Sequence, residues 1–188
     1  MKVFINPGHA PNGIPDPGVI GNLLRESDVA AGVARAAAGY LIAAGVETEI
    51  LQSDSLSEIC AVANDSGADL FVSIHCNGFS SPEPSGTETW ACAGSDAGHA
   101  LAACIQRQIV DSMTMVDRGV KTATPGVNGL YVLTHTDMPA VLVELGFISN
   151  PYDAAKLKSR PDDFARAIAR GVTDYISEGR GVSGCADY

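Results

Sequence analysis

The sequence predicts an α/β domain with a largely parallel sheet, and three observations carry the prediction. Short β-branched apolar runs alternate with longer amphipathic segments, the pattern of strands joined by crossover helices. One run, Asp69-Leu70-Phe71-Val72-Ser73-Ile74-His75, is almost continuously apolar, as a strand covered on both faces must be. The chain has 188 residues, 46% of them hydrophobic and 18% charged, which suits one domain around one core.

Each element has its own justification. Lys2 to Asn6 reads as the first strand, stopped by Pro7-Gly8. A loop rich in Gly, Pro and Asn follows to Gly21, and an Ala-rich helix is expected from Asn22 to Ala44, capped by Asn22 and stopped by Gly45. Val46 to Leu51 is the second strand. Ser55-Leu56-Ser57-Glu58 has capping-box spacing and opens a helix to Ser66. The third strand is Asp69 to His75, followed by a Pro/Ser loop from Asn77 to Ser85 and a strand from Thr87 to Ala91. Leu101, Ile105, Ile109 and Met113 mark one face of a helix. Thr114 to Asn128 reads as irregular, with a short strand around Val120, and Leu130 to Leu133 as a brief strand. Ala140 to Glu144 is a strand, and two helices close the fold at Pro151–Ser159 and Pro161–Ser177. The expected organisation is one domain over residues 1–178 and a flexible tail over 179–188.

Composition excludes several functions. Twelve basic against 22 acidic side chains give a net charge of -10, which repels phosphate backbones, so neither nucleic acid nor an anionic membrane is an expected partner. No run approaches the roughly 18–20 apolar residues of a membrane span, so membrane insertion is not expected. The opening MKVFINPGHA breaks at Pro7 before a signal-peptide core forms. Five cysteines without a CxxC pair disfavour a disulfide scaffold and a thiolate zinc knuckle, and Cys60 and Cys104 fit buried small hydrophobes. There is no GxSxG elbow, phosphate loop, GxGxxG turn or HExxH helix.

The remaining ionisable residues converge. His9 follows strand one, Glu26 opens the next helix, His75 ends strand three and Glu144 ends the strand Ala140-Val141-Leu142-Val143. Open α/β sheets bind ligands outside the carboxyl ends of their strands. Two imidazoles and a carboxylate with an open position form a catalytic zinc shell, and a second carboxylate would serve as its base. Structural readings stand beside this one. A strand-end His often serves a hydrogen bond, and a first-turn Glu often serves the helix dipole. Glu144, inside an apolar run, demands a partner or a metal. Spacing alone does not tell Glu26 from Glu144 in these roles.

Ile5-Asn6-Pro7-Gly8-His9, Arg25-Glu26, Val72-Ser73-Ile74-His75-Cys76-Asn77 and Pro139 through Asn150 (PAVLVELGFISN) resemble the motifs of zinc-dependent N-acetylmuramoyl-L-alanine amidases of the type-3 kind. Gly86-Thr87-Glu88-Thr89 and Asp117-Arg118-Gly119-Val120-Lys121 resemble that family's intervening signatures, and the likeness runs from residue 1 to 177. It departs at Asn6, where Asp is common, and at Ala10-Pro11, where a Gly pair is common. The resemblance implies a mixed, mostly parallel six-stranded sheet flanked by helices, like that of zinc exopeptidases. It implies Zn2+ held by His9, Glu26 and His75, with Glu144 as catalytic carboxylate cleaving the muramoyl–L-alanine amide of peptidoglycan.

Other residues carry paired readings. Asn77 contacts substrate or caps a turn; His135 lines the cleft or sits on an exposed loop; Arg118 binds a substrate carboxylate or braces its loop in an ion pair. Glu88, in an alternating segment, reads as solvent-facing. A Cys76 nucleophile is a rival, but neighbours along a strand point to opposite faces, leaving His75 badly placed to activate it. A zinc peptidase, a deacetylase and a non-catalytic wall-binding module are the remaining alternatives. The expected partner is peptidoglycan, bound by a monomer acting at the cell wall. Access to the wall would come from a targeting partner, a missing wall-binding domain or phage-type release.

Overall fold

The computed structural model describes residues 1–179, so all but the first residue of the expected tail lies outside the described residues. The elements run β1 (Lys2–Pro7), β2 (Ile20–Gly21), β3 (Leu24–Arg25), α1 (Glu26–Ala43), β4 (Glu47–Ile50), α2 (Leu56–Asp65) and β5 (Leu70–Asn77). They continue with β6 (Thr87–Cys92), α3 (Asp96–Met113), β7 (Asp117–Ala123), α4 (Tyr131–Thr134), β8 (Ala140–Phe147), α5 (Pro151–Ser159) and α6 (Pro161–Ser177).

Six strands form one sheet in the order β4-β1-β5-β8-β6-β7. All neighbouring pairs are parallel except β6 with β8. The α/β expectation therefore holds, and so does the mixed six-stranded sheet. Alternation along the strands splits the core into two layers. Val3, Ile5, Val72, Ile74, Val141 and Val143 face α1, α3 and α6, in the cluster that holds Leu41, Ile105 and Phe164. Phe4, Phe71 and Leu142 face the other way, onto Ile59 of α2 and Val132 and Leu133 of α4. One face is thus covered by three long helices, and the other by α2 and a single turn.

Several elements differ from expectation. The first helix begins at Glu26, not Asn22, because Asn22 and Leu23 both take left-handed angles (φ 49° and 62°) and form the two-residue turn between β2 and β3. Asn22 does not cap the helix; its amide donates to the Ile148 carbonyl at 2.7 Å and ties the hairpin to the far end of β8. Leu130 to Leu133 is not a strand: Tyr131–Thr134 is a helical turn that buries Val132 and Leu133. The segment around Val120 is a full edge strand, and its half-exposed polar residues hide the strand pattern. At α2 the box closes differently: Ser55 Oγ accepts from the Glu58 N–H at 3.3 Å, while the Glu58 carboxylate takes the Ser53 hydroxyl.

Candidate metal centre

The parallel strands β1, β5 and β8 end at one edge, and the candidate residues assemble there. Gly8 N–H donates to the Ile74 carbonyl at 2.9 Å, extending the ladder by one bond before His9 turns away with φ 65°. His75 and Glu144 are cross-strand neighbours in the β5–β8 register, and Glu88 lies opposite Glu144 in the β8–β6 register. By two-residue periodicity these three share the face of Phe71 and Leu142, the thinly covered side of the sheet. Glu26 reaches the same place as the first residue of α1, with its carboxylate at a helix N-terminus.

His9, Glu26 and His75 each offer a ligand atom, and all of these atoms lie within 4.8 Å of one another. Glu26 Oε1 lies 3.0 Å from His9 Nε2 and 2.9 Å from His75 Nδ1. The Glu26 carboxylate is 2% exposed and also accepts from the backbone of Val19 and Cys76, each at 2.9 Å. Two imidazoles and one fixed carboxylate make a borderline donor set that suits zinc. Glycine backbone is pressed against these groups. A Cβ on Gly8 would overlap the His75 ring, and one on Gly18 (φ 67°) would come 2.6 Å from Glu26 Oε2.

The electrostatics follow from this packing. The Glu26 hydrogen bond, reinforced by Asp16, raises His9 from 6.5 to about 9 against the opposing effect of burial. Burial disfavours the Glu26 anion, but hydrogen bonds from His75 and His9 outweigh it and hold the carboxyl far below its ordinary range. Glu144 has no such help. Burial, with Glu26 and Glu88 nearby, raises it from 4.5 to about 8, and its Oε2 is enclosed without a hydrogen-bond partner.

One participant, Asp16, has no sequence signal, and another, Glu88, lies in a family-like segment but is read there as solvent-facing. Asp16 Oδ2 lies 2.7 Å from His9 Nδ1, an arrangement that leaves His9 Nε2 facing Glu26. Asp16 comes from a Gly/Pro loop with no periodicity, and only the loop's return, seen in the bond from Ala10 N–H to the Asp16 carbonyl at 2.9 Å, brings it back. Glu88 is not solvent-facing: it is 6% exposed, because β6 is an interior strand. Arg118 Nε donates to Glu88 Oε2 at 2.7 Å and Asn77 Nδ2 donates to Oε1 at 3.1 Å. These bonds outweigh burial and hold the Glu88 carboxyl below its usual range. Arg118 also lies 4.9 Å over the Phe147 ring. Asn77 and Arg118 thus come together around Glu88, next to Glu144 in the sheet. His135 does not join them; it stacks on Tyr131 at 3.8 Å between ring centres. Cys76 is 2% exposed, and burial holds its thiol well above the ordinary range, which leaves it a poor nucleophile.

Known proteins resemble this chain along nearly its whole length. The family model described as N-acetylmuramoyl-L-alanine amidase matches residues 3–174. The N-acetylmuramoyl-L-alanine amidase LytC of Bacillus subtilis is 39% identical over 181 residues, covering 92% of this chain and 35% of that protein. The chain therefore spans about a third of that relative's length. Among solved structures, an N-acetylmuramoyl-L-alanine amidase from Clostridium difficile 630 superposes with a TM-score of 0.81 at 31% identity, covering 94% of this chain and 96% of that one. The amidase AmiC2 of Nostoc punctiforme gives 0.83 at 32% identity, covering 94% and 97%. With the family model matched over all but the chain's two ends and the same fold in amidase structures, this chain belongs to the N-acetylmuramoyl-L-alanine amidase family.

Proposed function

We propose that this chain hydrolyses the amide between N-acetylmuramic acid and L-alanine in peptidoglycan, with a zinc ion held by His9, Glu26 and His75. The observation that carries the reading is the closed His-Glu-His group with an unpartnered carboxylate, Glu144, one strand away. Zinc in that group would supply Lewis-acid polarisation of the scissile carbonyl and make water acidic enough to attack near neutral pH.

The remaining work falls to side chains of this protein. Glu144 Oε2, which no protein donor occupies, accepts a proton from the attacking water and returns it to the departing alanine nitrogen. Burial raises its proton affinity in the metal-free protein. A cation bound beside it would lower that affinity and leave the carboxylate ionised to accept the proton. Asp16 fixes the His9 ring through Nδ1, and the buried Glu26 carboxylate is held by two backbone N–H groups, so the site is organised before substrate arrives. Asn77 and Arg118, gathered around Glu88, lie on the leaving-group side of Glu144 in this reading and orient the stem peptide. His135 is assigned to the rim beyond Tyr131. Residues 1–178 form the catalytic unit, which acts at the cell wall.

The test is mass spectrometry of peptidoglycan digested by the purified protein, with and without a chelator. Release of stem peptides beginning with L-alanine, abolished by chelation and restored by zinc, is expected. Intact muramoyl–alanine linkages, with cleavage elsewhere in the peptide or loss of acetyl groups, would assign the site to a peptidase or deacetylase instead.

A further inference from the structure

On the face covered by α2 and α4, a cavity of about 310 Å³ opens directly off the metal centre, and His9 and His75 form part of its wall. Ile59 of α2, Leu130 and Val132 at α4, and Leu142 of β8 make its apolar lining. It exists because α4 is one turn long and leaves this side of the sheet only partly covered. The volume far exceeds what the methyl group of the alanine at the scissile bond would fill, so the cavity accommodates a longer group on the same substrate.

The charges at this cavity narrow the choice. Asp16 and Asp54 both line it. The Asp16 carboxylate is occupied by His9 Nδ1 and the Gly18 N–H. Asp54 is exposed and makes no hydrogen bond or ion pair with any described residue. An acetyl or lactyl group would use only the apolar space and draw nothing from Asp54, and a carboxylate would be repelled by both acids. An aliphatic chain ending in an ammonium satisfies both features, with its methylenes on the apolar wall and its charge at Asp54.

Building on the amidase reading, we propose that this cavity is a specificity subsite for the aliphatic ammonium side chain of the stem peptide's diamino acid, with Asp54 as the residue that reads the charge. The probes are two muramoyl tripeptides ending in lysine, one with a free ε-amine and one with that amine acetylated. The measurement is kcat/KM for peptide release.

A preference for the free amine of roughly three- to tenfold is expected, falling toward parity in Asp54→Asn, retained in Asp54→Glu and shrinking as salt is added. Because Asp54 is exposed and unpaired, these variants should keep the parent's melting temperature, which separates recognition from folding. Equal rates on the two substrates, or a preference that survives Asp54→Asn, would overturn the subsite and leave the amidase reading standing. If neither tripeptide nor intact peptidoglycan is cut at the muramoyl amide, the amidase reading fails and takes the subsite with it.

Discussion

Without a bound metal, burial and the nearby Glu26 and Glu88 carboxylates raise Glu144 from 4.5 to about 8, and no described residue donates to its Oε2. Replacing it with Gln should cut turnover by about 10²- to 10⁴-fold, the range for removal of a general base, while zinc content measured by atomic absorption stays the same. Loss of zinc in Glu144→Gln would make Glu144 a ligand instead. Titration of the metal-free protein has a definite direction. Glu144 holds a proton in the folded state that the unfolded chain gives up near 4.5, so its contribution to stability falls as pH rises toward about 8. His9, raised from 6.5 to about 9, contributes below 6.5 and loses that contribution as pH climbs toward 9. Glu26 works the other way: its depressed value stabilises above 4.5 and is lost only on acidification. In chelator, the melting temperature should therefore drop between about pH 4.5 and about pH 9, and saturating zinc should reverse the drop. A flat profile would contradict the buried environment of Glu144. Asp16→Asn should weaken zinc affinity about 10- to 100-fold, read by competition with a chromogenic chelator, because the amide lacks the charge that makes the His9 ring a stronger donor.

At the scale of elements, α6 rests unusually close to α3. A Cβ on Gly171 would meet the Ile105 Cα at 2.5 Å and its N at 2.8 Å, both backbone atoms that cannot swing aside. Gly171→Ala should cost about 1–3 kcal/mol in urea denaturation and push the two helices apart. A neutral result would mean that the helix pair yields at little cost. The β2–β3 hairpin shows how a local signal misleads. Asn22 reads as a cap, yet Asn also tolerates left-handed angles, and the hairpin turn uses that property. The capping role is left unfilled, since Arg25 makes no side-chain cap bond and the helix N-terminus instead receives Glu26 directly. Helices α5 and α6, by contrast, begin where the sequence begins them, because Pro151, Pro161 and the Asn150 cap act within a few residues.

For the whole molecule, sheet burial governs which groups can react. Cys60, Cys76 and Cys104 are all at most 4% exposed, so iodoacetamide should label them only after unfolding, and alkylation of the native protein should leave turnover intact. Labelling of native Cys76 with loss of activity would revive the thiol reading. The acidic balance of -10 also has local content: Glu26 and Asp16 contact the His9 ring, Glu144 lies next to His75 in the sheet, and Arg118 answers Glu88 beyond it. The sequence by itself determined the α/β class, the order of the strands along the chain, the ends of the proline-capped helices and the delivery of His9, Glu26, His75 and Glu144 to one sheet edge. Those properties depend on residues within a turn or a strand of one another and on the rule that parallel strands end together. Only the tertiary structure decided the partners of Glu88, the return of Asp16 to His9, the helical turn at Tyr131–Thr134 and the cavity it leaves open. Each of these joins segments with no shared periodicity, and each depends on which strand is interior and which face is thinly covered, facts that exist only once the chain has closed on itself.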